Sequence, residues 1–176
     1  MFDIFFTADT HFNHWSSPER NIIKYCNRPF ASIEEMDMSL IQKWNAKVGK
    51  KDKIYIAGDF ALCKKELLPY YMVLNGEKIF IKGDHDRLFS EDLPYIMNLT
   101  IYNQPLTICH WCMRVWSRSH YNAWHLYGHS HGHLEPIGKS WDIGVDNNSF
   151  APLSWDEIVE IMKNRPDNPN LIKETR

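Results

Sequence analysis

The chain of 176 residues has no marked excess of charge of either sign, no apolar run of membrane length, no internal repeat and no low-complexity stretch. Each absence narrows the field. A formal net charge of −2 rules out a strongly basic scaffold that coats nucleic acid by charge alone, so nucleic acid is not indicated as a partner, although a local basic groove is compatible with that total. The start Met-Phe-Asp-Ile-Phe-Phe lacks both a basic leader and a long apolar segment, so neither a signal peptide nor a membrane partner is expected. Cysteine is scarce and scattered, at Cys26, Cys63, Cys109 and Cys112, which reads as a reducing, cytoplasmic setting. The pair in Cys109-His110-Trp111-Cys112 has no second C-x-x-C to complete a zinc site and no thioredoxin-like surroundings, so these thiols read as small buried side chains. The absence of H-E-x-x-H argues against a zinc peptidase.

What is present is a chain of a size to fold without staples, burying about two thirds of its unfolded surface. The expectation is one domain over residues 1–165 and a polar tail over 166–176 that carries two prolines and is poorly ordered or lies on the surface. Short apolar runs at 3–8, 53–57 and 78–82 read as buried strands, each followed at once by a polar cluster. Between them, Ser17-Pro18 predicts a helix through Tyr25, Ser32 with Glu35 a capped helix to about Lys47, and residues 64–74 a third. Alternation of strand and helix implies a largely parallel sheet with its ligands beyond the carboxyl ends of the strands. Closely spaced strands at 99–102, 106–110, 125–127 and 141–145 predict a second sheet, antiparallel or mixed. Ser154 and Glu157 then cap a closing helix from Trp155 to Asn164.

Five clusters of potential ligands follow strand ends: Asp9-Thr10-His11, Gly58-Asp59, Gly83-Asp84-His85-Asp86, His110 and Gly128-His129-Ser130-His131. Singly each has an ordinary reading, as a turn or a loop. Jointly, carboxylates and imidazoles without a required thiol suit two divalent ions of the manganese, iron, cobalt, nickel or zinc type, a device for hydrolysing phosphate esters. In Asp9-x-His11 and His129-x-His131 an extended backbone, with its period of two, would turn both side chains to one side.

The ordered set Asp-x-His, Gly-Asp, Gly-Asp-His-Asp, His and Gly-His-x-His resembles that of the calcineurin-like metallophosphoesterases, and the chain is similar to compact bacterial or phage members. The likeness covers nearly the whole chain and includes Thr7-Ala-Asp-Thr-His-Phe-Asn-His14 and Asp142-Ile-Gly-Val-Asp146. It implies an α/β two-sheet sandwich in α/β/β/α layers with mixed sheets, and two divalent ions, manganese foremost. Asp9, His11 and His131 would hold one ion, Asp84, His110 and His129 the other, and Asp59 both. A bridging hydroxide would attack the phosphorus of a small phosphorylated or nucleotide-like monoester or diester. His85 would be the leaving-group acid, with Asp86 orienting it. The family has Asn where this chain has Asp84, an added negative charge that should tighten metal binding and weaken the pull on phosphate. A metal-binding interaction module with impaired catalysis is therefore the alternative.

His14 and Arg87 are candidate phosphate contacts, the latter because a guanidinium fits phosphate oxygens in pairs. Trp111, Arg114, Trp116, Arg118, Tyr121 and Trp124 interleave aromatics with cations as in base-stacking surfaces, but packing across the second sheet is the favoured reading. Asp146 reads as holding a turn near the site.

Overall fold

A computed structural model describes residues 2–62, 67–86 and 92–172. Strand β1 (Ile4–Thr7) is followed by a small hairpin, β2 (Trp15–Ser17) and β3 (Arg20–Asn21), and by helices α1 (Ile22–Tyr25) and α2 (Ile33–Lys47). Then come β4 (Lys53–Ala57), α3 (Leu67–Val73) and β5 (Glu77–Ile81). The second half contributes β6 (Ile96–Ile101), β7 (Gln104–Cys109), β8 (Trp124–Tyr127), β9 (Ser140–Asp142), β10 (Leu153–Ser154) and α4 (Trp155–Lys163).

Two four-stranded sheets result, in the orders β10-β1-β4-β5 and β6-β7-β8-β9. Both are mixed. In the first, β1-β4 and β4-β5 are parallel and β10 is antiparallel to β1. In the second, β6-β7 is antiparallel while β7-β8 and β8-β9 are parallel. The two-sheet α/β sandwich is thus the architecture of the chain.

Alternation along the strands divides the core, since successive side chains leave a strand on opposite faces. Phe5, Ile54, Ile56 and Phe80 face helix α2, meeting Ile33, Met36, Leu40 and Trp44, which recur at the three- and four-residue spacing of one helical face. Their neighbours Phe6, Ala57 and Ile81 face the second sheet, against Leu106, Ile108 and Leu126, where α4 adds Ile158 and Met162. Trp44 is fully buried and its indole donates to Asn75 O at 3.0 Å, so its loss would cost roughly 3–5 kcal/mol.

The cap of α2 is Ser32, whose Oγ accepts from Glu35 N at 3.2 Å, but the Glu35 carboxylate accepts from Ala31 N instead of closing the box. At α4 the box closes, with Ser154 N donating to Glu157 Oε2 at 2.7 Å.

The helix expected from Ser17 to Tyr25 is shortened to Ile22–Tyr25. Asn21 explains the difference: its amide donates to the carbonyls of Ser17 and Pro18, folding that stretch into a hairpin turn, while its Oδ1 caps Lys24 N at 3.1 Å. The helix expected over 64–74 is described only from Leu67, since residues 63–66 lie outside the described residues. The segment after Pro166 is anchored by buried Asn168, which donates to the carbonyls of Ser119 and Ala123 and accepts from Lys139 N. Among the described residues no helix is long and apolar enough to cross a membrane.

Candidate metal centre

The carboxyl ends of β1, β4, β5, β7 and β8 meet at one pocket, and each delivers a cluster named above: Asp9 and His11, Asp59, Asp84 and His85, His110, and His129 and His131. Two donor groups converge there, Asp9-His11-His131 and Asp84-His110-His129, with ligand atoms within 4.8 Å of one another in each. Asp59 lies between them, its Oδ2 standing 3.6 Å from His11 Nε2 and 3.4 Å from His110 Nε2, and it forms a further group with Asp9 and His110.

The backbone that carries them is not the extended chain the sequence suggests. Asp9, His11, Asp59, His129 and His131 all have left-handed φ, between 48° and 68°. The side chains share a side because the chain curls, at a cost of about 1 kcal/mol or more per residue that the surrounding fold must absorb. Two glycines make room for the curl. A Cβ at Gly58 would come within 2.6 Å of Gly83 Cα and of His110 Nδ1, and one at Gly128 within 2.5 Å of Asp9 Oδ2.

Three buried polar atoms in the pocket, Asp9 Oδ1, His11 Nε2 and His110 Nε2, have no hydrogen-bond partner among the described residues. Buried polar atoms are normally paired, so these need an occupant. Their other atoms are already committed. Asp9 Oδ2 accepts from His129 N at 2.8 Å, His11 Nδ1 is 3.0 Å from His14 Nδ1, and His110 Nδ1 is 2.8 Å from Ala57 O. Free imidazole nitrogens and carboxylate oxygens, each oriented from behind, fit divalent cations.

The protein alone compensates this crowd with protons. Burial raises Asp9 to about 7 against the pull of His110 and His131. Burial also opposes ionisation of Asp59, but the His110 ring, His11 and the His85 amide override it and hold the carboxylate well below its usual range. His110 is correspondingly lifted to about 9, burial notwithstanding, by Asp59 and Asp9. His11 is pushed well below its ordinary value by burial, with Asp59 opposing. Burial takes His14 down to about 4.

His85 stands at the pocket mouth, partly exposed, with Nε2 3.9 Å from Asp59 Oδ2 and its amide donating to Asp59 Oδ1 at 2.8 Å. Its ring leans on those of His11 and His14, at 5.4 and 5.5 Å. Asp86 does not orient that ring. Its two oxygens are taken by the amides of Asp59, Gly83 and Phe60, so it latches the β4 and β5 loops together. Arg87 lies outside the described residues. His14 is buried against His11 and lines a cavity of about 550 Å³ over the site, whose apolar wall includes Ile22, Tyr25 and Leu62.

The aromatic and cationic stretch after His110 does not form one stacking face. Trp111 donates to Asp84 Oδ2 at 3.2 Å, Trp116 is buried on His125, and Trp124 stacks on Trp155.

Two residues at the site escape sequence reasoning. Arg28 is buried and pairs with Asp146, which in turn is 2.7 Å from His131 Nδ1. Asp142 accepts from Ser130 Oγ, Gly132 N and Gly144 N, shaping the loop that carries His129 and His131. Asp142 and Asp146 stand in the stretch that carries the family resemblance, the one signal for them; Arg28 has none.

The fold and this cluster define a two-sheet α/β protein with a convergent Asp/His centre. No family model matches the chain. The chain is 37% identical over 177 residues, 93% of its own length and 93% of the other's, to the uncharacterized protein MJ1445 of Methanocaldococcus jannaschii. It belongs to the same family as MJ1445. In structure it is similar to AQ665 of Aquifex aeolicus, a protein of unknown function, with a TM-score of 0.67 and 20% identity over 92% of this chain and 100% of that one. A looser likeness, TM-score 0.46 at 17% identity, covers 80% of this chain and 72% of Vps29 from Entamoeba histolytica.

Proposed function

We propose that the chain is a metal-dependent phosphoesterase of the calcineurin-like type, acting on a small phosphorylated or nucleotide-like molecule. The observation that carries this reading is the pair of donor groups, Asp9-His11-His131 and Asp84-His110-His129, on either side of Asp59, with three buried polar atoms that have no partner among the described residues. Asp9, His11 and His131 would hold one divalent ion, Asp84, His110 and His129 the second, and Asp59 both. Such ions, manganese first among the candidates, supply an acidified water and neutralise charge gathering on a phosphate.

The protein's own groups do the rest. His85, reachable from solvent and next to Asp59, protonates the departing oxygen as general acid. His14 lines the same cavity and offers a ring nitrogen toward a phosphate oxygen. The apolar wall of Ile22, Tyr25 and Leu62 excludes water from the ester side chain.

The test is metal content by mass spectrometry together with a panel of phosphomonoesters, phosphodiesters and cyclic nucleotides. Two bound divalent ions and metal-dependent turnover of one ester class support the proposal. A purified chain that binds no divalent ion removes it.

A further inference from the structure

Arg28 takes no part in the chemistry outlined above, yet its guanidinium is fully covered. Burying a charge is costly unless it is paired and hydrogen-bonded, and Arg28 is both. Nε donates to Asp146 Oδ1 at 2.7 Å and Nη2 to Asp146 Oδ2 at 2.8 Å, a two-pronged pair. The same Nη2 donates to Asp9 O at 2.7 Å, and Nη1 to Thr10 O at 3.1 Å and toward Met36 Sδ at 3.3 Å.

These contacts reach one half of the site. The carbonyls of Asp9 and Thr10 belong to the curled segment between two left-handed residues, Asp9 at φ 56° and His11 at φ 50°. Asp146 Oδ2 is also 2.7 Å from His131 Nδ1, which fixes that ring and leaves Nε2 for the pocket. No contact of Arg28 reaches Asp84, His110 or His129 among the described residues. Ala57 O stands behind His110 and the Trp111 indole beside Asp84; a link across is the His129 amide, which donates to Asp9 Oδ2 at 2.8 Å through the backbone and not through the His129 ring.

A rival reading makes Cys26, His131 and Asp146, which also cluster, a third cation site. It fails on charge, because the Arg28 guanidinium already neutralises Asp146 through both oxygens and would repel an ion placed beside them.

We propose that Arg28 is a positioning residue for the Asp9-His11-His131 half of the site, acting through Asp146 on His131 and through the carbonyls of Asp9 and Thr10 on the strained loop. The inference rests on the metal-binding part of the proposed function. A lysine cannot replace it, since one ammonium lacks the planar fork that grips Asp146 and two carbonyls together.

The experiment is a cobalt(II) titration of the full chain, followed by visible absorption, with circular dichroism to establish folding. Arg28→Lys should weaken one ion by roughly 10–100-fold and leave the other within about twofold, as expected for loss of an outer support on one side. In combination with His131→Ala, it should add little to the loss that His131→Ala produces alone, because both act on one ion. Two unchanged affinities in folded Arg28→Lys, or two that fall equally, overturn the assignment.

Should Arg28→Lys not fold, Asp146→Asn keeps an oxygen acceptor for His131 while breaking the charge pair. The same one-sided loss there supports the proposal, and unchanged or equal affinities overturn it. A wild-type chain that binds two ions but hydrolyses no ester removes the phosphoesterase reading alone, with Arg28 judged on the titration. A wild-type chain that binds no ion overturns both.

Discussion

His110 Nε2 faces Asp59 Oδ2 across 3.4 Å, while its Nδ1 is held 2.8 Å from Ala57 O. The first separation exceeds a normal N–H···O bond and the second does not, so the ring is fixed from behind, with its front nitrogen unsatisfied among the described residues. Asp59 meets His11 at a similar remove on its other side, 3.6 Å. A carboxylate so placed stands within reach of both donor groups, and in the proposed function it serves both.

Asp59→Asn should therefore lower the affinity for both ions, each by at least the roughly 10–100-fold that loss of an outer-shell partner costs. His129→Ala should affect one ion only. Isothermal titration with manganese on the two variants checks the contrast, and a variant at 59 that keeps one ion at full affinity contradicts the shared role.

His85→Ala should keep both ions, because the ring is not in either donor group. Turnover should fall by roughly 10²–10⁴-fold for an ester with a poor alkoxide leaving group and much less for a nitrophenyl ester, which departs without a proton. Equal losses for the two esters would remove the acid assignment.

Asp84 is half-exposed and 3.3 Å from His129 Nδ1, so its extra charge is felt at the pocket but screened. Asp84→Asn should raise turnover about fivefold, corresponding to ~1 kcal/mol of relieved repulsion toward phosphate. Steady-state kinetics at saturating metal measures it. If neither the wild type nor Asp84→Asn hydrolyses any ester with metals bound, the binding-module reading stands instead.

His125 lies apart from the candidate metal centre, buried between Thr107 O and the amide of Met113, and burial lowers its pKa to about 4. In the unfolded chain it titrates near 6.5, so between about pH 6.5 and 4 the unfolded chain takes up a proton that the folded one refuses. Stability from this residue is whole above about pH 6.5 and is lost as pH falls toward 4, on the order of 3 kcal/mol in all. Chemical denaturation across that range should show a shallower slope in His125→Gln; an unchanged slope would place the acid sensitivity elsewhere.

The strands and the polar clusters behind them were legible because a buried parallel strand writes itself as a short apolar run, and its carboxyl end is where a ligand can be met. The backbone shape of those clusters was not. Asp-x-His reads as an extended pair, and only the packing of Gly58 and Gly128 against the site reveals that the chain curls there. Arg28 was hidden for a different reason: its partner Asp146 is 118 positions away, and a basic residue before a proline looks like surface loop. Asp86 misled because adjacency to His85 suggested side-chain contact, whereas its oxygens are drawn inward to three amides. The hairpin at Trp15–Ser17 and Arg20–Asn21 was concealed by Ser17-Pro18, a pair that opens helices and turns alike.

The left-handed positions that carry the candidate ligands set fold and site in conflict. At residues 9, 11, 59, 129 and 131 a glycine would relax the backbone, whereas Asp or His holds it uphill and brings like charges or bare nitrogens together. A lineage freed from the need to hold ions would drift at these places toward glycine or asparagine and gain stability by doing so. This chain has Asp or His at all five, as the proposed metal-binding role requires. Asp84, where the resemblance would place Asn, lies instead outside the left-handed set, so exchanging Asp and Asn there leaves the backbone undisturbed.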